Sequence, residues 1–207
     1  KHGTTLRGLI QEGYHIDPLV SFYAYAHSGF GYEGRLKCND LELQQLLKRL
    51  RQSTVAADVK IYLFTNSDLG HAKRVMQYLG IEELFDGLVT FEHLELNCKP
   101  HVSSYEIAMR MAGLELATNE KKEEESTNGQ TILANDFERA KRWKDLEANA
   151  NVEVYFFDDN IHNVKAAIEL GWTKVVWINE QQLPNIDNVL DCENIYQLEQ
   201  VCSELLQ

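Results

Sequence analysis

Two apolar runs of strand length end directly in polar residues, and this pattern constrains the chain more than any other. Val59-Lys60-Ile61-Tyr62-Leu63-Phe64 runs into Thr65-Asn66-Ser67-Asp68, and Val152 to Phe157 runs into Asp158-Asp159-Asn160. A short apolar run rich in β-branched and aromatic residues, bounded by polar turn residues, reads as a buried strand. A helical pattern follows each: Leu69 to Leu79 closed by Gly80, and about 161–170 closed by Gly171. Glycine suits the left-handed position just past a helix end. Gly87 to Phe91 and Lys174 to Ile178 read as further strands. Strands alternating with helices predict an α/β fold, with a mostly parallel sheet covered by helices on both faces.

The remaining segments fill in around that frame. Residues 4–12 and 18–27 read as two short helices in a stretch rich in aromatics (Tyr14, Phe22, Tyr23, Tyr25, Phe30, Tyr32), and the stripe Phe22, Tyr23, Tyr25 reads first as packing. Asp40 is a natural N-cap for a helix that keeps Leu41, Leu43, Leu46, Leu47 and Leu50 on one face and stops near Gln52. Pro100 is placed in the first turn of a helix over about 100–112, ended by Gly113. Residues 117–131 have almost no apolar content and are expected to be a mobile insertion, followed by a charged amphipathic helix over Asp136 to Ala148. One more short helix is expected near 195–205.

Composition removes several function classes. The 207 residues carry 32 acidic against 20 basic side chains, a formal charge of −12. Such a surface has no general attraction for nucleic-acid backbones or anionic lipid, so neither a nucleic acid nor a membrane is expected as partner. No apolar run approaches the roughly 20 residues of a membrane span. Cys38, Cys98, Cys192 and Cys202 form no C-x-x-C pair and read as four reduced thiols of a cytoplasmic protein, with access to the nucleus left open.

In an open parallel sheet, ligands bind beyond the carboxyl ends of the strands. Thr65, Asn66, Asp158 and Asp159 follow strands directly, and Lys99 lies in the loop and helix start after the strand at Gly87, so all five are expected on one rim. A hydroxyl, an ammonium and two adjacent carboxylates suit phosphate transfer with a divalent cation. Adjacent carboxylates at a strand end repel, and Mg²⁺ relieves that conflict because it prefers hard carboxylate oxygens. Thr65 and Asn66, at a strand-to-helix turn, suit an anion. Plain alternatives stay open for each: Asp159 or Asn160 as an N-cap, Thr65 and Asn66 as caps, Lys99 as a solvated lysine before a proline.

Phe64-Thr65-Asn66, Cys98-Lys99-Pro100 and Phe156-Phe157-Asp158-Asp159-Asn160 resemble, in that order, motifs II, III and IV of the haloacid dehalogenase (HAD) superfamily. Gly3 to Leu9, Leu79-Gly80-Ile81 with Phe85-Asp86-Gly87, and Gly171-Trp172-Thr173 resemble its pyrimidine 5′-nucleotidase branch of fungi and plants. The resemblance covers most of the chain outside about 115–150. It implies a HAD-like Rossmannoid parallel sheet flanked by helices, with residues 1–39 as part of a helical cap and 40–207 as the α/β core. It also implies Mg²⁺-dependent hydrolysis of a small phosphorylated metabolite, a nucleoside monophosphate, through an aspartyl-phosphate. By that reading Thr65, Asn66 and Lys99 bind the phosphoryl group, with Thr65 and Lys99 serving catalysis. Asp158 and Asp159 hold Mg²⁺, and Arg7 and the nearby aromatics contact the leaving group.

One departure is serious. The superfamily's motif I is D-x-D-x-T/V at the end of a strand upstream of the cap; its first Asp is the nucleophile and its second the general acid/base. The 207 residues contain no D-x-D. In the superfamily's sheet that strand lies between those of motifs II and IV, so its absence is expected to leave two neighbours with unpaired backbone groups. Two explanations follow: a chain truncated before motif I, favoured by its start at Lys1, or a non-catalytic relative that binds phosphate or a protein. Either way the chain as written is expected to be inactive. A metal-free dehalogenase is disfavoured by the adjacent aspartates, and a receiver domain by their late position. A pure interaction protein would use the 117–150 region as its surface.

Overall fold

Capping chemistry sets the helix boundaries. A computed structural model describes residues 5–29, 31–52, 59–94, 96–114, 152–184, 186 and 189–206. The expected insertion at 117–131, the expected helix at 136–148, Gly3, Thr4 and Phe30 lie outside the described residues. The chain forms two compact units, residues 1–112 with 196–207, and residues 113–195.

In the first unit, α1 (Thr5–Gln11) leads to a π-helical turn (Pro18–Tyr23) and the single turn α2 (Ala24–Ala26), where one continuous helix over 18–27 was expected. The aromatic stripe divides. Tyr23 is buried and stacks edge-on against Phe22 at 5.3 Å, whereas Tyr25 is 84% exposed and packs into no core. Helix α3 (Leu41–Arg51) starts where Asp40 accepts the Leu43 N–H, as its sequence predicts. Strand β1 (Tyr62–Phe64) is shorter than the apolar run that contains it. Helix α4 (Leu69–Leu79) is capped by the Asp68 carboxylate and closed by Gly80 at φ +72°. Strand β2 (Gly87–Val89) pairs parallel with β1 in the register Tyr62–Gly87 to Phe64–Val89. Phe91 does not extend β2; it opens the short helix α5 (Phe91–Leu94). Helix α6 (Val102–Met111) starts after an N-cap at His101, so Pro100 precedes the helix instead of occupying its first turn. The Lys99–Pro100 bond is cis. Among the described residues β1 pairs with β2 alone.

Two clusters hold this unit together. Leu47, Met76 and Ile81 bring α3 and α4 together. Leu6, Tyr23, Val89, Phe91, Leu94 and Cys98 pack the N-terminal segment against the end of β2 and α5. Burying side chains of this size contributes about 1.5–3 kcal/mol each before conformational entropy is counted.

In the second unit, β3 (Tyr155–Asp158), β4 (Lys174–Ile178) and β5 (Leu190–Cys192) form a parallel sheet in that order. Strand β3 includes Asp158 itself, and β5 has no clear apolar signal, with Leu190 43% exposed. Helix α7 (Ile161–Glu169) connects β3 to β4 and is capped by Asn160, whose side chain accepts the His162 N–H. Val164, Ala167, Val175 and Val176 are buried, and Trp172 meets Phe156 edge-on at 5.4 Å. Strand β3 is an edge of this sheet in the order β3-β4-β5. The chain is α/β, with parallel sheets flanked by helices. No described helix is long and apolar enough to cross a membrane.

Residues 196–207 belong to the first unit. The helix expected near 195–205 is broken into 3₁₀ turns around α8 (Leu198–Val201). The Tyr196 hydroxyl donates to Asp40 Oδ2 at 2.5 Å, and Arg49 of α3 pairs with Glu199. The four cysteines are free thiols.

The end of α4 is a closely packed turn. Asn39 N–H donates to the Tyr78 carbonyl, and Asp40 N–H and Gln44 Nε2 to that of Leu79, which satisfies the carbonyls a helix end leaves open. A Cβ on Gly80 would lie 2.5 Å from Gln44 Nε2 and 2.9 Å from Asn39 Oδ1. Gly80→Ala therefore combines a left-handed backbone penalty with loss of these contacts. It is expected to lower unfolding stability by about 1–2 kcal/mol or more. The urea midpoint measures this, and a midpoint equal to wild type contradicts it.

Candidate functional site

The loop after β1 carries two of the five expected site residues, Thr65 and Asn66, and a third, Lys99, is brought to it. Asn66 and Lys99, 33 positions apart, are locked by reciprocal bonds: Asn66 Nδ2 donates to the Lys99 carbonyl and the Lys99 N–H donates to Asn66 Oδ1, both at 2.9 Å. This two-point clamp brings the Lys99 loop onto the end of β1. The Lys99 ammonium turns inward and donates to the Phe64 carbonyl at 2.7 Å, with the Phe64 ring 4.4 Å away. Lys99 is 6% exposed, which overturns the reading of a solvated surface lysine. Thr65, next along from Phe64, pairs its N–H with the Val89 carbonyl, and its Oγ1 accepts the Ser67 N–H at 3.1 Å. A hydroxyl that accepts there keeps its proton for a further acceptor.

The start of α4 differs from the sequence expectation. Its leading N–H groups were read as an anion site, and the protein's own carboxylates occupy two of them. Asp68 Oδ1 accepts the His71 N–H at 2.9 Å, and both Glu92 oxygens accept the Leu69 N–H at 3.0 Å. Glu92 is fixed in turn by the fully buried Thr90, whose hydroxyl donates to it at 2.7 Å. Carboxylates at a helix N-terminus satisfy both the open donors and the dipole. An anion at this loop would therefore rely on Lys99 and the Thr65 hydroxyl.

Several contacts to this loop had no local signal. The Tyr23 hydroxyl donates to the Asn66 carbonyl at 2.7 Å, and His27 reaches Asp68. These partners lie 43 and 41 positions apart, so no spacing rule relates them. Burial pushes the Cys98 thiol up to about 11, although Arg7 and Lys99 oppose the shift. Cys98 is thus protonated at neutral pH and is no nucleophile. The same interaction places Arg7 beside the Cys98–Lys99 loop.

Asp158 and Asp159 end β3 in the second unit and diverge. Asp158 is 7% exposed, and its Oδ1 accepts from the Asn160 N–H at 2.8 Å and from Asn163 Nδ2 at 2.9 Å. Asp159 is exposed, and its carbonyl accepts from Trp177 Nε1 at 3.1 Å. A cavity of about 240 Å³ opens here, lined by Asp159, Asn160, Trp177 and Asn179 among others. Among the described residues no three His, Cys, Asp or Glu side chains are grouped to hold a metal. Two hard carboxylates suit Mg²⁺ in kind, since that ion keeps several waters and takes one or two protein carboxylates.

The clamp is directly testable. Asn66→Ala removes both bonds and leaves the Lys99 N–H without its acceptor, at an expected cost of about 1–3 kcal/mol. Amide exchange at Lys99 should accelerate by the matching factor, and unchanged protection would contradict the clamp.

Part of the chain is similar to known proteins. Residues 31–124 match the haloacid dehalogenase-like hydrolase family, a range that contains Thr65, Asn66 and Lys99. The chain is 26% identical over 196 residues, 92% of its length, to Phosphate metabolism protein 8 of Saccharomyces cerevisiae. It spans about half of that relative, 50% of its length. The parallel α/β architecture and the match over residues 31–124 make this chain similar to the haloacid dehalogenase-like hydrolases.

Proposed function

We propose that this chain carries the phosphate-binding part of a Mg²⁺-dependent phosphomonoesterase whose substrates are nucleoside monophosphates. The observation that carries the reading is the buried Lys99 ammonium, clamped by Asn66 at the end of β1 beside the Thr65 hydroxyl. A compact ammonium and a hydroxyl donor are what a phosphoryl group needs for charge balance and orientation. The nucleotide preference rests on the sequence resemblance, and the name of the yeast relative, in which phosphate metabolism figures, is in keeping with it.

Each residue then has a definite task. Lys99 holds a phosphoryl oxygen and offsets its charge. Thr65 donates its hydroxyl proton to a second oxygen, and Asn66 fixes the Lys99 loop without touching the ligand. In the second unit, Asp159, exposed just after β3, and Asp158, turned inward, would hold Mg²⁺, an ion that supplies charge neutralisation in phosphoryl chemistry. An aspartyl-phosphate route also needs a nucleophilic aspartate followed by an acid/base aspartate. With no D-x-D among the 207 residues, this chain is proposed to bind the phosphoryl group and not to turn it over. That absence favours a second reading, a phosphate-binding relative without catalysis.

Calorimetry on the purified 207-residue chain tests the site. Inorganic phosphate or a nucleoside monophosphate, with Mg²⁺ present, is expected to bind. Lys99→Met, which keeps the apolar stem, is expected to weaken binding roughly tenfold to a hundredfold, the value of a charge-assisted hydrogen bond. Unchanged affinity in that variant would remove Lys99 from the site. A phosphate-release assay on the same chain is expected to show no Mg²⁺-dependent turnover, and steady release would sink the non-catalytic reading.

A further inference from the structure

We propose that His27, Asp68 and His71 form a one-proton clasp that holds the segment bearing Tyr23 and Tyr32 against the loop after β1, and that a second proton opens it. The geometry lies wholly within the first unit and is independent of what that loop binds. His27 Nδ1 donates to Asp68 Oδ2 at 2.5 Å, with side chains only 18% and 15% exposed. The His27 and His71 rings stack at 3.9 Å, inclined by 18°. The Tyr32 hydroxyl lies 3.2 Å from His71 Nδ1. Tyr23 also stacks with His27, at 5.6 Å, and carries the clasp to the Asn66 carbonyl.

The proton count follows from these contacts. Asp68 has spent Oδ1 on the His71 backbone N–H and Oδ2 on His27. One positive charge on the imidazole pair is therefore matched by one carboxylate, and a cationic ring over a neutral one is a favourable stack. Two imidazolium rings face to face repel. The Tyr32 hydroxyl can donate to His71 only while Nδ1 keeps its lone pair, which requires His71 to be neutral.

The surrounding charges reinforce this balance. On the same segment Tyr23 is neutral, because burial raises its hydroxyl well above the usual phenol range. From α4 come Asp68, the cation Arg74, and Tyr78, whose ring lies 5.4 Å from that of Tyr32. From α5, Glu92 lines the same cavity of about 460 Å³ as His27, Asp68 and Arg74, but its carboxylate is already committed to Leu69 and Thr90. Burial first, then the charges of His27 and Arg74, hold His71 below the usual histidine value, against the pull of Asp68. In the unfolded chain His71 titrates near its ordinary value of about 6.5. Its contribution to stability is therefore fully present above about pH 6.5 and is lost as pH falls toward the depressed folded value.

Imidazole NMR on the 207-residue chain, from about pH 8 to about pH 5, tests the clasp. His71 is expected to titrate below about 6.5, with the Tyr23 and Tyr32 ring signals and the Asn66 amide shifting at the same midpoint. His71→Gln keeps an acceptor for Tyr32 but cannot titrate, so it is expected to abolish the transition at Tyr23 and Asn66. His27→Gln removes the stacked charge and is expected to raise the His71 midpoint, a readout that survives if the first variant folds poorly. An ordinary His71 midpoint, tyrosine signals that ignore it, or a midpoint unmoved by His27→Gln would each overturn the proposal.

Discussion

An ammonium removed from water must be compensated, and the burial of Lys99 organises the first unit around that requirement. A charge left bare in an apolar interior is prohibitively costly, so buried lysines are found where oxygens meet them. Here the Phe64 carbonyl, at the end of β1, meets the ammonium directly. The rest of the arrangement keeps that carbonyl and that ammonium in register. Asn66 holds the Lys99 backbone at two points, Thr65 is tied to β2 through the Val89 carbonyl, and Tyr23 pins the Asn66 carbonyl from the N-terminal segment. Removing the clamp would leave the lysine stem free to swing toward solvent.

Helix α4 shows the same economy at its positive end. A helix N-terminus attracts any available anion, and this protein supplies two of its own in Asp68 and Glu92. Burial works to raise Asp68, but the His71 N–H and the His27 imidazole outweigh it and hold its carboxyl below the ordinary range. Asp68 thus remains ionised and keeps capping through mild acid. The helix dipole is spent on structure, so in the proposed site the task of meeting an anion falls to Lys99 and Thr65.

Local chemistry was readable from the sequence; partnerships across tens of residues were not. Asp40, Asp68 and Gly80 mark helix ends by rules that act over three or four residues, and the described helices begin and end there. Lys174 to Ile178 announces its strand by an unbroken β-branched and aromatic run. Pro100 misled because the cap falls one residue later, at His101, whose ring accepts the Ser103 N–H. Strand β5 was invisible because Leu190-Asp191-Cys192 lacks an apolar run and takes its pairing from β4. At the site, Thr65, Asn66 and Lys99 were named from strand ends and resemblance, but the means of joining them, an amide reading another residue's backbone, has no spacing signature. The same holds for His27, whose partner lies on another element.

The charge balance can now be argued at the scale of a binding site. A net charge of −12 repels a phosphate at long range, yet in salt that repulsion fades beyond roughly 8 Å. Inside that distance the local inventory decides. Lys99 is held in a poorly screened interior, where a single charge acts far more strongly than one on the surface. The acidic residues nearest the loop, Asp68 and Glu92, have their oxygens turned onto the N–H groups of α4, which neutralises much of their field. A protein acidic overall can therefore present a cationic point to a small anion while offering nothing to an extended polyanion. Only a ligand small enough to sit within one screening length of Lys99 escapes the repulsion of the whole.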